Sequence, residues 1–346
     1  MTPRYLLVLL LVGSVIVCAC GEAQAPQIPE NTDTADTGNG TIIRLDSRLD
    51  AIVPTNAYIE KIASGFMFTE GPLWIRAESR LLFSDVRGNT IYQWNERDGS
   101  SNFLDPVFDG DRTGLAMVSS NGLTLDSEGR VVICEHGNRV VSRLEPDGTR
   151  TTLVDSYEGR RLNSPNDAVY GSDGSLYFTD PSYGLEGNEA SPLRELDFNG
   201  IFRLNPDGEL QLLSRDQSRP NGIALSPDET ILYSANSDPD AKVWMAYDLS
   251  PDGASNARVF YDVTDQTTGG LPDGMKVDTT GNVFGTGPGG VWVFAPDGTH
   301  LGTIMPDEVP ANVGWGDDGH TLYMTAQTGI YRIRLTASGP IPGPTS

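Results

Sequence analysis

A short phrase that recurs six times restricts the fold of this chain more than any other feature of its sequence. Each copy opens on a polar residue that is often followed by Gly. It continues with an alternating strand, a turn of the type Ser/Asp-x-Gly and a second apolar strand. The copies are spaced 39 to 55 residues apart and begin at Glu70, Asn121, Asn166, Asn221, Asp273 and Asn312. A period of about 40–50 residues carrying several strands is typical of a β-propeller blade.

A third strand follows most of these openings, for example at residues 140–144 and 200–204. Four of the links after it contain Pro-Asp-Gly, in which Pro presets φ, Asp bonds its own backbone and Gly supplies a positive φ. Convincing helical periodicity is absent across residues 42–346. The sequence therefore predicts an all-β, six-bladed propeller whose ring is closed by strands from both ends. A solenoid is the weaker alternative, because no copy resembles a capping repeat.

The N-terminus is typical of a processing signal rather than of a folded element. Residues 1–20 carry Arg4 and then an uncharged run of about 12 residues, which is shorter than the roughly 20 residues that span a bilayer. Small residues before Cys20 and Gly after it indicate a lipoprotein signal with lipidation at Cys20, although Cys18 is an unusual neighbour. An ordinary secretory signal is the alternative. Residues 21–41 are predicted to be a flexible tether, and 42–346 the propeller.

The charge of the chain limits its partners. With 47 acidic against 24 basic residues, the formal net charge is −23. Such a chain repels phosphates, so we expect no nucleic-acid partner and no membrane contact except through the lipid anchor. The lipoprotein signal predicts a protein anchored at a membrane of the cell envelope, facing the periplasm or the exterior, and we expect it to be a monomer.

The six opening residues form a candidate metal site. In a propeller the innermost strands run along the central channel, so equivalent positions meet in one ring at its mouth. Two carboxylates and several amides in one small space remain unsatisfied unless a cation lies among them. Oxygen ligands alone favour a hard cation such as Ca²⁺ or Mg²⁺. Any one of these residues taken singly is equally consistent with an ordinary turn.

The chain resembles the regucalcin/gluconolactonase family, also called senescence marker protein-like, and most of all its bacterial gluconolactonases. The resemblance covers roughly residues 60–335. It is carried by these phrases: Glu70-Gly-Pro-Leu-Trp, Cys134-Glu-His-Gly-Asn-Arg, Ser164-Pro-Asn-Asp, Tyr177-Phe-Thr-Asp-Pro-Ser-Tyr-Gly, Pro220-Asn-Gly-Ile-Ala and Pro272-Asp-Gly-Met. It implies a six-bladed propeller with a divalent metal, usually Ca²⁺ with Mg²⁺ or Zn²⁺ as alternatives. The implied ligands are Glu70, Asn166, Asn221 and Asp273.

The expected activity is the calcium-dependent hydrolysis of a sugar lactone. A bound cation polarises the lactone carbonyl and lowers the pKa of water, and Asp273 is the predicted catalytic base. Asn121, His136 and Tyr183 are predicted to bind substrate, with a structural His and an ordinary surface loop as the alternatives for the last two. An organophosphate or ester hydrolase, with Asp273 as nucleophile, is the rival enzyme. A non-catalytic binding propeller stabilised by calcium is the alternative of another class.

Overall fold

The computed structural model describes residues 37–345. The predicted signal peptide, the lipidation site Cys20 and most of the predicted tether lie outside this range. Secondary structure in the described residues is almost entirely β, with three short 3₁₀ turns at Ser47–Ala51, Arg76–Glu78 and Asn188–Ala190. Within these residues, no helix has the length and apolar character needed to cross a bilayer.

Two strands precede the first repeat, β1 (Gly40–Arg44) and β2 (Ile59–Ser64). The first three repeats form one sheet each, and blades 2 and 3 are joined through a small hairpin. Their strands are: in blade 1, β3 (Thr69–Ile75), β4 (Arg80–Asp85), β5 (Thr90–Asn95) and β6 (Gly99–Leu104); in blade 2, β7 (Ser120–Leu125), β8 (Val131–Glu135), β9 (Val140–Leu144) and β10 (Arg150–Val154); in the hairpin, β11 (Ser156–Tyr157) and β12 (Arg160–Arg161); in blade 3, β13 (Ala168–Tyr170), β14 (Leu176–Asp180), β15 (Gly200–Leu204) and β16 (Leu210–Ser214).

The last three repeats form one sheet each in the same way. Their strands are: in blade 4, β17 (Pro220–Leu225), β18 (Ile231–Asp238), β19 (Ala241–Ser250) and β20 (Gly253–Asp262); in blade 5, β21 (Met275–Val277), β22 (Val283–Gly287), β23 (Gly290–Phe294) and β24 (His300–Pro306); in blade 6, β25 (Pro310–Gly316), β26 (Thr321–Ala326) and β27 (Gly329–Arg334). The six-bladed propeller predicted from the repeats is confirmed.

The innermost strand of each blade contacts the innermost strand of the next, in the order β3, β7, β13, β17, β21, β25 and back to β3. Strands β3, β7 and β25 are buried along their whole length, whereas the outer strands β6 and β20 are mostly exposed. The apolar core therefore lies between successive blades. This arrangement places the start of every inner strand at the same mouth of the central channel.

Strands from the N-terminal part of the chain complete the last two blades. Strand β2 pairs antiparallel with β27 and is the fourth strand of blade 6. Strand β1 pairs with β24 and adds a fifth strand to blade 5. The ring is therefore closed by both ends of the chain, as predicted. The first strand begins at Gly40, slightly before position 42, where the sequence placed the start of the propeller.

The C-terminal segment, residues 336–345, crosses the face of the propeller opposite the channel mouth. It begins at blade 6, where Gly339 N–H donates to the carbonyl of Gly319, and passes blade 5, where Ser338 accepts from Thr279. It ends beside blade 1, where Arg76 donates to the carbonyl of Pro344 at 2.7 Å. Every one of these partners lies in a turn that leaves an inner strand, so the segment covers the far end of the channel.

Candidate active site

Four inner strands share a local irregularity at the channel mouth. The pairing register shifts between Glu70 and Leu73, between Ser120 and Leu123, between Pro220 and Ile223, and between Pro310 and Asn312. A β-bulge re-aims the side chain at which it occurs and is common beside functional sites. In four blades, the backbone at or beside the opening residue therefore leaves the regular strand pairing at the same end of the channel.

The structure brings the six opening residues together. Asn312 Nδ2 donates to Glu70 Oε2 at 3.0 Å, which joins blade 6 to blade 1. The N–H of Gly122, directly after Asn121, donates to the carbonyl of Asn166 at 2.6 Å, which joins blade 2 to blade 3. Asn221 and Asp273 interact through the Asn221 amide. The opening residues of neighbouring blades are therefore linked in pairs at the channel mouth, two pairs through side chains and one through the backbone.

The glycines that follow the opening residues permit this close approach. A Cβ built on Gly71 would lie 2.2 Å from the carbonyl oxygen of Asn121, and one on Gly274 would lie 2.0 Å from Cγ of Asn312. Real Cβ atoms do not approach so closely, so a side chain at Gly71 would force blade 1 away from blade 2, and one at Gly274 would displace the Asn312 side chain. The Asn-Gly and Asp-Gly pairs of the repeat are therefore packing requirements of the channel mouth as well as turn residues.

A hydroxyl near the end of the second strand fastens several blades to the next. These hydroxyls donate to a backbone carbonyl beside the neighbouring opening residue: Ser84 to Asn121, Thr179 to Asn221, Ser237 to Pro272 and Thr286 to Ala311. The sequence signal was available as the Ser or Thr that ends most of the second apolar runs. An isolated Ser or Thr at a strand end is too common to predict such a bond from the sequence alone. These bonds fix the backbone on which the ring side chains stand.

The pKa values of the two ring carboxylates, Glu70 and Asp273, are both raised. Burial raises the pKa of Glu70 to about 7, although its Oε2 accepts hydrogen bonds from Asn312 and Gly71. Burial together with the nearby Glu70 and Asp167 carboxylates raises the pKa of Asp273 well above its usual value. Asp273 Oδ1 is buried and has no hydrogen-bond partner in the protein. Both shifts express the cost of placing negative charges together in a dry channel.

These residues fit a hard cation. Among residues 37–345, no three His, Cys, Asp or Glu side chains are arranged to hold one ion, so amide oxygens would have to complete the ligand set. Glu70, Asn166, Asn221 and Asp273 supply two carboxylates and two amides at the same mouth, which is an oxygen-only donor set. The unpartnered oxygen of Asp273 and the raised pKa values of both carboxylates are what a cation would relieve.

Tyr183 lies over the acidic side of the ring. Burial, and to a smaller extent the nearby Asp273 carboxylate, raises the pKa of its phenol above the usual value, and Ser237 and Asn221 lie close to its hydroxyl. That hydroxyl is buried but makes no well-formed hydrogen bond. Since a buried donor without a partner is costly, the Tyr183 hydroxyl is poised for a polar group that enters the site.

His136 is fully buried beside the Tyr183 loop. Its backbone N–H donates to the carbonyl of Ser119 at 3.0 Å, and a Cβ on Gly184 would lie 2.9 Å from its Cβ. Neither ring nitrogen has a hydrogen-bond partner, and burial lowers the pKa of the imidazole to about 4. The ring is therefore neutral at pH 7, with one donor and one acceptor to offer. Asn121 also keeps a buried side-chain oxygen without a partner.

Two long loops pair with each other above this part of the ring. The link between blades 1 and 2 meets the loop that follows β14, through an isolated antiparallel bridge between Leu115 and Leu185. Ala116 N–H donates to Gly184 O, and Glu186 N–H donates to Gly114 O. The loop carrying Tyr183 is thus held in place by a second loop, which sequence analysis did not identify as its partner.

The structure also adds two charged residues that the sequence did not single out. Asp167, directly after Asn166, is buried, and its Oδ2 lies 3.8 Å from Nζ of Lys276. Asp167 is the last residue of the phrase Ser164-Pro-Asn-Asp, whereas Lys276 follows directly after the phrase Pro272-Asp-Gly-Met. Its position three residues after Asp273 was a usable signal, because it places the two side chains on the same inner strand region.

Comparison with known proteins shows the family of the chain. A family model described as the SMP-30/gluconolactonase/LRE-like region matches residues 68–328. The chain is 39% identical over 331 residues to a gluconolactonase from Zymomonas mobilis, with 92% of each chain covered. It is 27% identical over 268 residues to a pentonolactonase from Haloferax volcanii, covering 75% of this chain and 81% of that protein.

A solved structure gives the same result. The gluconolactonase from Xanthomonas campestris superimposes with a TM-score of 0.76 at 30% sequence identity, and the match covers 88% of this chain and 98% of that one. The resemblance noted in the sequence is therefore confirmed over nearly the whole folded body. On these grounds the chain belongs to the SMP-30/gluconolactonase family.

Proposed function

We propose that this protein hydrolyses sugar lactones of the gluconolactone type with the help of a divalent cation, most simply Ca²⁺. The observation that carries the proposal is Asp273 Oδ1, a buried carboxylate oxygen without a partner, set among a second carboxylate and several amides. The relatives named gluconolactonase and pentonolactonase support a lactone as the substrate class.

Glu70, Asn166, Asn221 and Asp273 would hold the cation. When bound, it supplies a Lewis acid for the lactone carbonyl and lowers the pKa of a coordinated water. The protein itself keeps the ligands in place, since Glu70 is fixed by Asn312 and by the Gly71 N–H, and the Asn221 Nδ2 donates to Ser237 Oγ at 2.9 Å. A prearranged ligand set of this kind costs little reorganisation during the reaction.

Asp273 would accept a proton from the water as that water adds to the lactone carbonyl, and would return it to the ring oxygen when the lactone C–O bond breaks. The raised pKa of this carboxyl favours proton acceptance, although a bound cation would offset part of that shift. Tyr183 can donate its free hydroxyl to an oxygen of the sugar ring, and neutral His136 can donate or accept one hydrogen bond from a sugar hydroxyl. The paired loops above them exclude bulk water, which strengthens each of these interactions.

The test is a panel of aldonolactones assayed by proton release, on protein stripped of metal by a chelator and on the same protein with Ca²⁺ restored. We expect hydrolysis of at least one sugar lactone, loss of that activity after chelation and its return with Ca²⁺. A phosphofluoridate in the same panel separates the rival enzyme from the lactonase.

Two outcomes would contradict the proposal. Turnover of the phosphofluoridate alone would make the protein an organophosphate hydrolase. Turnover of no substrate, combined with a lower melting temperature after chelation, would leave a binding propeller that uses the cation for stability.

A further inference from the structure

Below the opening residues the channel contains a third carboxylate. Asp167 accepts the Ala168 N–H through Oδ1 at 2.9 Å, while its Oδ2 is buried and has no hydrogen-bond partner. Its carboxylate acts on both Glu70 and Asp273, and the Asn312 amide that bonds Glu70 also interacts with it. Glu70, Asp167 and Asp273 therefore share one electrostatic environment.

A single ammonium faces this group in the described part of the channel. Lys276 stands on the inner strand β21, donates to its own neighbour's carbonyl, Met275 O, at 2.9 Å, and approaches Asp167 Oδ2 to 3.8 Å. Its side chain is 21% exposed and that of Asp167 only 3%. Lys276 is the cation that opposes the burial cost at Asp167 and at Glu70.

The choice of lysine is notable in this chain. Only three lysines occur in 346 residues, at positions 61, 242 and 276, and arginine supplies the remaining basic residues. Lysine places a compact charge on a narrow stem, whereas a guanidinium is broader and needs a planar partner. The narrow lysine side chain suits position 276, which lies on an inner strand beside the packed channel.

We propose that Lys276 and Asp167 are positioning residues that set the total charge of the channel, so that the site becomes neutral when it binds a divalent cation. When all three carboxylates are ionised around a bound cation, they carry three negative charges, and Lys276 offsets one of them. A divalent ion then balances the remaining two, while a trivalent ion leaves an excess positive charge in a buried place. This inference rests on the proposed metal site and explains how the site would select the valence of its ion.

Selectivity between Ca²⁺ and Tb³⁺ tests the proposal, because the two ions have similar oxygen preference and differ in charge. Isothermal titration of the full, metal-stripped protein gives the dissociation constant of each ion. Lys276→Met keeps the length of the side chain and removes its charge, so we expect the preference for Tb³⁺ over Ca²⁺ to rise at least about tenfold. Asp167→Asn removes a negative charge, so that preference should fall by a similar factor.

The double variant, Lys276→Met with Asp167→Asn, restores the wild-type charge and should restore the wild-type ratio. Lys242→Met is the matched control, since Lys242 Nζ donates to the carbonyl of Gln266 in the link that follows blade 4, whereas the lysine that acts on Glu70 and Asp167 is Lys276. This control should leave the ratio unchanged. The melting temperature with and without each ion is a second readout that does not depend on catalysis.

The result that would overturn the proposal is an unchanged ratio in both single variants while the wild-type protein binds Ca²⁺. A change in the single variants that persists in the double variant would also overturn it, because charge balance would then not be the cause. Binding of neither ion by the wild-type protein would instead remove the metal site on which the proposed function stands. If one single variant fails to fold, the other and the double variant still decide the question.

Discussion

Asp273 combines two properties that rarely occur in one carboxyl group. It stands among the amide side chains of the ring that we propose as a cation site, and it keeps a buried oxygen free of hydrogen bonds. Glu70 differs from it, because its Oε2 is already engaged by Asn312 and the Gly71 N–H. The two carboxylates should therefore respond differently to the loss of their charge.

We expect Asp273→Asn to lower kcat by about 10²–10⁴ even at saturating Ca²⁺, the usual range for loss of an acid–base group. Glu70→Gln should weaken calcium affinity and recover most of its activity when Ca²⁺ is in excess. Titrating both variants with Ca²⁺ and comparing the plateau rates measures the difference. Equal plateaus near the wild-type rate would show that Asp273 is only a ligand, and unchanged calcium affinity in both variants would exclude the ring as a metal site.

Among the elements, the C-terminal segment and the paired loops serve opposite ends of the channel. The loops joined at Leu115 and Leu185 lie over the ring, which is the proposed substrate site. The segment 336–345 covers the far end and carries Ile341, which is only 7% exposed and belongs to the core shared by blades 1, 5 and 6. Stability and catalysis should therefore be separable in this protein.

Ile341→Ala should reduce the free energy of unfolding by about 2–3 kcal/mol, because it removes buried methyl groups on the far face. The rate constants for lactone hydrolysis should stay at the wild-type level, since no ring residue is touched. Val259→Ala is the control, as Val259 on the outer strand β20 is 55% exposed and should give nearly no change. Urea unfolding and steady-state kinetics on the same samples provide both numbers. A fall in kcat with unchanged stability would contradict this division.

For the whole molecule, the repeat predicted the architecture because one local pattern is satisfied six times by the same packing. The openings at Glu70, Asn121 and Asn312 indicated both the blades and the ring, since inner strands must meet along the channel. The third strand expected at residues 140–144 and 200–204 is found with those bounds. Positions that are equivalent in a closed ring can therefore be predicted without knowing any side-chain contact.

What the sequence did not reveal depends on contacts between distant segments. The pairing of the Leu115 loop with the Leu185 loop joins two irregular stretches that carry no periodicity. The approach of Lys276 to Asp167 joins residues on two different blades, and each looked like an ordinary member of its own repeat. Such cross-blade pairs are fixed by the closure of the ring rather than by any local pattern.

The location of the molecule remains a prediction from residues 1–20. We expect Cys20→Ser to abolish labelling by a radioactive fatty acid and to move the protein from the membrane fraction to the soluble fraction, because a buried acyl chain supplies the membrane affinity. Cys18→Ser is the matched control and should keep both the label and the membrane location. Loss of label in Cys18→Ser alone would show that Cys18, and not Cys20, is the lipidated residue.

The pairing of N-terminal strands with blades 5 and 6 also determines when the propeller can finish folding during synthesis. Strands β1 and β2 are translated before the other described strands, whereas their partners lie in the last two blades, β24 in blade 5 and β27 as the final strand. For most of translation these two strands can pair only with wrong edges, and the ring has an open seam between blades 6 and 1. If the chain is exported, its propeller cannot close before the final strand is made, so the chain can still cross a membrane in an unfolded state until then.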